Sequence, residues 1–208
     1  MEPTTELLPR RQRARQAKRR RIALAAAELF REHGFDATTT EQIAERADVA
    51  KGTLFLYAKT KARLLLLVYE AEIEDAVAAA LRELQPDAPI VETLIALFGR
   101  FFQMYERDIS LARRFVQELM LAAPDDDGQV ISTTAAFLAR LAGLIRGWQS
   151  AGRVAADVDA TLAARTTFAL YYAALLGWLS GQIPSASARD ELLATSFALH
   201  WRGLIIDL

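Results

Sequence analysis

The chain of 208 residues contains no cysteine, so it has neither a disulfide framework nor a thiolate metal centre, which suits a reducing, cytoplasmic setting. Only two histidines are present, which leaves no paired imidazole ligands for a metal, and no metal or other cofactor is expected. Glycine and proline are scarce, at 10 and 6, and fall mostly between periodic segments. No stretch alternates at the two-residue period of a half-buried strand. There is no glycine-rich phosphate loop and no serine nucleophile elbow, and the acidic triplet Asp125–Asp127 has no histidine or basic neighbour, so an enzyme is not expected. No apolar run is long enough for a bilayer: the longest candidate, Thr166 to Leu179, falls short of the roughly 20 residues needed. A secretory leader is also not expected, because Glu28 interrupts the apolar run after the basic N-terminal stretch and Arg31-Glu32-His33 follow it.

What remains is an alanine- and leucine-rich chain, 52% hydrophobic, with the makings of an all-helical protein and a substantial core. The net charge of −1 conceals an uneven distribution. Arg10, Arg11, Arg13, Arg15, Lys18, Arg19, Arg20 and Arg21 face only Glu2 and Glu6 at the N-terminus, and the remainder is correspondingly acidic. Helical periodicity predicts about nine helices. The first runs from about Arg15 to His33 and stops at Gly34, behind a disordered basic arm of residues 1–14. A long fourth helix starts at Lys61 and ends before Pro86. The later ones span Ile90–Glu106, Ile109–Ala122, Gly128–Ala151, Asp157–Gly181 and Ser187–Leu208, punctuated by Pro124–Gly128, Gly152 and Ile183-Pro184.

Between the first and fourth helices lies TTTEQIAERADVAKGTLFLYAKTK, Thr38 to Lys61. Thr39 or Thr40 can cap a helix of about two turns. Asp48 tolerates the left-handed turn that ends it, and Leu54 of a second short segment, Lys51 to Tyr57, can pack back on Ile43 and Ala47. This is the layout of a helix-turn-helix, whose second helix enters the major groove of double-stranded DNA.

The stretch resembles the DNA-binding region of the tetracycline-repressor (TetR) family of bacterial transcription regulators. Thr39, Thr40, Ile43, Ala44, Ala47, Val49, Gly52, Thr53, Leu54, Tyr57 and Lys61 are in register with that family's pattern. Asp48 stands where the family has a turn glycine, Ala50 where a serine would cap the recognition helix, Phe55 for a tyrosine, Ala58 for a phenylalanine and Thr60 for a serine. Losing the capping hydroxyl costs about 1 kcal/mol, and losing the tyrosine hydroxyl removes a phosphate partner at position 55. The resemblance implies an N-terminal three-helix DNA-binding domain (15–61) and a larger helical effector-binding and dimerisation domain (62–208), joined through the fourth helix. Thr39, Thr40, Thr53, Tyr57 and Lys61 would take phosphates, and Lys51, Thr53 and Phe55, with Gly52 between them, would meet base edges or thymine methyls. Arg19 and Arg20, in the basic stretch, would add contacts to phosphates or the minor groove.

The function expected from these residues is a homodimeric repressor released from a palindromic operator by a small apolar or aromatic effector. The alternative is a helical small-molecule-binding or adaptor protein without a role on DNA. Candidate effector-binding residues are Phe98, Phe101, Phe102, Tyr105, Phe137, Trp148, Tyr171 and Tyr172, with Phe115 and Trp178 in the wider aromatic set. The segment TTFALYYAALLGWL of the eighth helix is apolar almost all round and must be covered on both sides. A homodimer through an intermolecular four-helix bundle of the last two helices is therefore expected. Leu176, Gly177, Trp178, Phe197, Trp201 and Leu204 are its candidate contacts.

Overall fold

A computed structural model describes residues 10–83, 85, 87–121 and 129–205, without the side chains of 129–132. The acidic triplet Asp125–Asp127, residues 1–9 of the expected arm, the side chain of Val130 and the end of the chain from Ile206 lie outside the described residues. Nine α-helices account for the described fold: α1 (Arg10–His33), α2 (Thr40–Arg46), α3 (Lys51–Phe55), α4 (Lys61–Arg82), α5 (Ile90–Glu106), α6 (Ile109–Leu121), α7 (Gln129–Ser150), α8 (Ala160–Leu179) and α9 (Ala186–Trp201). No strand occurs among the described residues; the nearest approach is an isolated antiparallel bridge between Val154 and Ile205. The chain divides into two compact units, Met1–Ala71 and Glu72–Leu208.

In the N-terminal unit, α1 begins at Arg10, so residues 10–14 of the expected disordered arm are helical. Arginine and glutamine are good helix formers, and the basic run extends the helix rather than preceding it. Its apolar stripe, Ile22, Ala26, Leu29 and Phe30, is buried. Gly34 ends the helix at φ 83°, its amide donating to the Phe30 carbonyl at 2.9 Å. The buried Thr38 hydroxyl then bridges back to the carbonyls of Leu29 (3.1 Å) and Gly34 (2.8 Å), satisfying the helix end that the glycine leaves open.

Thr39 caps α2 in a reciprocal box with Gln42: the Gln42 amide donates to the Thr39 hydroxyl at 3.2 Å, and the Thr39 amide to Gln42 Oε1 at 2.8 Å. Asp48 takes the left-handed turn, at φ 50°. Ala50 opens α3 with no side-chain cap, as the absent hydroxyl predicts. Leu54 of α3 is fully buried, as are Ile43 and Ala47.

The division between the units falls inside α4, ten residues beyond the expected boundary near Ala62, so the start of this helix belongs to the N-terminal unit. There, Leu64 to Glu70 are all buried.

The C-terminal unit is a helical bundle in which α8 packs on α7 and α9, and α5 on α9. Asp159 caps α8 through the amides of Thr161 (2.8 Å) and Leu162 (3.2 Å), and Ser185 caps α9. The core is aromatic. Phe98 on α5 lies against Phe101, Phe137, Tyr171 and Phe197, with ring centroids 4.7–5.9 Å apart, so one ring joins α5, α7, α8 and α9.

Candidate nucleic-acid interface and cavity

The N-terminal unit presents α3 with Lys51, Gly52 and Phe55 exposed, Thr53 and Tyr57 half-buried, and only Leu54 turned inward. A Cβ added at Gly52 would meet nothing within 4 Å, so the chain's own packing does not call for glycine there. A partner that approaches the backbone closely would.

Lys51 is not a loose cation. Its ammonium is ion-paired with Glu41 of α2 and lies 5.9 Å from the centroid of Phe55. The Lys51 ammonium, as the largest cause, helps to hold the Glu41 carboxyl down to about 2, so the pair persists until the pH falls well below the ordinary carboxylate range. Lys61 is held by the Asp36 carbonyl at 2.9 Å and by the Phe35 ring at 4.7 Å. Thr40 donates to Glu41 at 3.0 Å. Thr39 is committed to its capping box, which still leaves its side chain on the exposed surface.

For one expected DNA contact the structure gives a different role. Arg19 is half-buried and ion-paired with Glu70, which is only 3% exposed, so its guanidinium joins α1 to α4 instead of projecting into solvent. A buried carboxylate without a cation would cost several kcal/mol, which makes this arginine structural. Arg20 is exposed, and Arg21 reaches the Asp48 carbonyl at 3.0 Å, tying α1 to the turn of the motif.

The second feature is a cavity of about 50 Å³ in the C-terminal unit. Five of the eight expected residues line it: Phe101, Tyr105, Phe137, Tyr171 and Tyr172. Phe98, Phe102 and Trp148 do not. Phe98 is fully buried at the centre of the ring cluster. Phe102 has the Arg189 guanidinium 4.0 Å from its centroid, and Trp148 meets Trp201 edge to face at 5.9 Å. The remaining wall comprises Ile73, Phe115, Val116, Leu119, Thr134, Phe168 and Leu175. Phe168 was legible in principle, since it shares a helical face with Tyr171, Tyr172 and Leu175 at spacings of three and four.

The third feature is the outer face of α8 and α9. Leu162, Leu192 and Leu199 are 59%, 47% and 70% exposed, and Ala169 and Ala173 continue the strip. Thr166, Ala169, Leu170, Ser196, Leu199 and His200 enclose an open groove of about 430 Å³ there. The expected contacts lie elsewhere. Trp178, Phe197 and Trp201 are buried within the chain, because α9 turns its i, i+4 row of Arg189, Leu193, Phe197 and Trp201 inward. Leu176 and Leu204 are half-buried. A Cβ on Gly177 would stand 2.8 Å from Ile183 Cδ1, so this glycine makes room for the chain's own α8–α9 loop.

Residues 22–68 match the profile of the bacterial regulatory proteins of the tetR family. The HTH-type transcriptional regulator RutR of Escherichia coli K12 is 33% identical over 148 residues, covering 70% of this chain and 68% of RutR. The fatty acid metabolism regulator protein of Bacillus subtilis is 23% identical over 155 residues, covering 74% of this chain and 80% of that protein. Among solved structures, Thermus thermophilus FadR in complex with lauroyl-CoA superimposes with a TM-score of 0.66 at 26% identity, over 91% of this chain and 96% of FadR. The exposed α3, its capped partner α2 and this degree of likeness together make the chain a member of the TetR family of bacterial transcriptional regulators.

Proposed function

We propose that the chain acts as a homodimeric repressor, each subunit placing α3 in the major groove of a palindromic operator and leaving it when a small apolar or aromatic effector fills the cavity of the C-terminal unit. The observation that carries the reading is the reading head itself. In it Lys51, Gly52 and Phe55 stand exposed on a helix whose only inward residue is Leu54. Thr53 and Phe55 offer methyl and ring contacts to thymine, while Lys51 meets a base edge. Thr39, Thr40, Tyr57 and Lys61 take phosphates, and Arg20 adds charge from α1. The strip of Leu162, Ala169, Ala173, Leu192 and Leu199 supports a two-fold partner, since an apolar surface of this kind on a soluble protein marks an interface. The effector need only prefer the spacing of the two heads that misses the operator, and coupling of about 1–3 kcal/mol suffices.

The test begins with selection of bound duplexes from a random pool. Recovery of a palindrome with half-sites about one helical turn apart is expected, and an unenriched pool would remove the DNA reading. On the selected duplex, Lys61→Ala should weaken specific and random binding alike and reduce the salt slope by about one. A changed sequence preference with an intact slope would reassign Lys61 to base reading.

Glu41 should restrain Lys51. Glu41→Gln frees the ammonium and removes a negative charge from the DNA-facing side, so affinity for random duplex should rise about tenfold and more than affinity for the operator. In a Lys51→Ala background the gain should be smaller; an equal gain there would show that Glu41 acts by charge alone.

His200 should make the protein acid-sensitive. Its Nε2 lies 3.1 Å from Thr166 Oγ1, and burial holds its pKa below the ordinary value of 6.5. Folding then favours the neutral ring, so its contribution is present above about pH 6.5 and declines as the pH falls from there toward the folded pKa. Between pH 7.5 and 5.5, His200→Gln should lose less thermal stability than the parent chain; parallel losses would remove His200 as the cause.

A further inference from the structure

The walls of the cavity carry a preference of charge as well as of shape, and the inference drawn from it rests on the effector reading above. Among the described residues, none of the twelve that line the cavity is Lys, Arg, His, Asp or Glu, and their only polar side-chain atoms are the hydroxyls of Thr134, Tyr105, Tyr171 and Tyr172. An ionised carboxylate taken into such a wall would lose its hydration with no cation to meet it.

A cation close to this wall does not relieve this. Arg189 is close enough to act electrostatically on Tyr171. Its guanidinium, however, is stacked 4.0 Å from Phe102 and 4.4 Å from Trp178, and its nitrogens lie 2.9 Å from Glu106 and 2.7 Å from Asp190. Two carboxylates already balance its charge. On the other side Glu72 adds a negative field at Tyr105.

What the cavity does offer is a buried hydroxyl pair. Tyr105 and Tyr171 are hydrogen-bonded to each other, and burial, first among the causes, pushes both phenols up. Both therefore remain protonated at any physiological pH, and a phenol hydroxyl both donates and accepts. Around the pair, Phe101 meets Phe137 at 77° and Tyr171 at 53°, Phe137 meets Phe168 at 57°, and Phe168 stacks on Tyr172 at 15°, so the wall offers both ring edges and ring faces to a further ring. The volume of about 50 Å³ is smaller than the roughly 150 Å³ of a cavity that holds benzene, so the half-buried rim of Ile73, Leu119, Thr134 and Tyr172 must yield on entry.

We infer that the effector is an uncharged ring compound bearing one hydroxyl or carbonyl oxygen, that the Tyr105–Tyr171 pair anchors this oxygen, and that the site rejects the carboxylate analogue of the same molecule.

Four probes of nearly one shape test this on the full chain: p-cresol, toluene, 4-methylbenzoate and 4-methylbenzylammonium, each followed by calorimetry and by release of the selected operator. Binding of p-cresol should be about tenfold tighter than toluene and at least about thirtyfold tighter than either ion, from the cost of an unpaired buried polar or charged group. Tyr105→Phe and Tyr171→Phe should each remove most of the preference for p-cresol over toluene while toluene binding persists, which also shows that the variants are folded. Benzoate or ammonium binding as tight as p-cresol, a cresol preference that survives both variants, or silence of all four probes overturns the inference. If the four are silent while another compound such as lauroyl-CoA releases the operator, the repressor reading stands and only the ligand class falls. Loss of operator binding in the unliganded chain would instead remove the reading beneath it.

Discussion

Leu199→Arg combined with Leu162→Arg is expected to turn a dimer of this chain into a folded monomer. Both leucines are more than half exposed in the single chain, so in a monomer the arginines extend into water at little cost. Against a two-fold copy they would be driven into an apolar contact without a counter-charge, at a cost of several kcal/mol. Sedimentation equilibrium reads the oligomeric state and circular dichroism the fold. Operator affinity should fall by a factor of about 10²–10⁴, because two linked half-site contacts become independent. If the double variant remains dimeric at micromolar concentration with unchanged operator affinity, the interface is not on this face of α8 and α9. Trp201→Arg would answer a different question, since Trp201 is fully buried inside the chain and its replacement attacks the fold.

The second large effect is expected at Phe98. Its ring meets those of Phe101, Phe137, Tyr171 and Phe197, so Phe98→Ala removes a shared partner from four helices at once. Truncation of a buried phenylalanine costs about 3–5 kcal/mol. At roughly 2–4 °C per kcal/mol for a protein of this size, the melting temperature should drop by about 10 °C. Phe98→Leu, which keeps most of the volume, should lose less than half as much. Chemical denaturation of the two variants decides it: a loss below about 1 kcal/mol for Phe98→Ala would mean that the surrounding rings collapse into the space.

Phe98 and the two rows of α9 show where sequence alone was not sufficient. By sequence Phe98 is an effector-binding candidate, because aromatic residues at helical spacing on α5 suit either a core or a pocket. Periodicity identifies the buried face of a helix but not what stands opposite it. Phe101 and Tyr105, three and seven residues further along the same helix, do line the cavity, while Phe98 fills the centre of the bundle. The same limit governed α9. Both of its rows, one through Phe197 and Trp201 and one through Leu192 and Leu199, carry large apolar residues, and only the packing against α5 and α8 turned the first inward. Large aromatic residues made the first row look like interface anchors, whereas the intrachain core had the first claim on them.

What the sequence by itself determined was everything that depends on neighbours along the chain. Composition and period set an all-helical protein, Gly34 and Asp48 set the ends of α1 and α2, and the cap of α2 narrows to Thr39 or Thr40, of which the structure uses Thr39, because a turn or a cap is decided within about four residues. The helix-turn-helix belongs to the same class: it is local, and its residues appear at fixed spacing. Only the tertiary structure decided the long-range pairings. Arg19, in the middle of a basic run, looks like any other solvated charge until the fold places the buried Glu70 beside it, 51 residues away. Lys51 finds Glu41, and Tyr105 finds Tyr171, in the same way. A charge or a hydroxyl acquires its role from what the fold brings within a few ångströms, and that information is distributed over the whole chain.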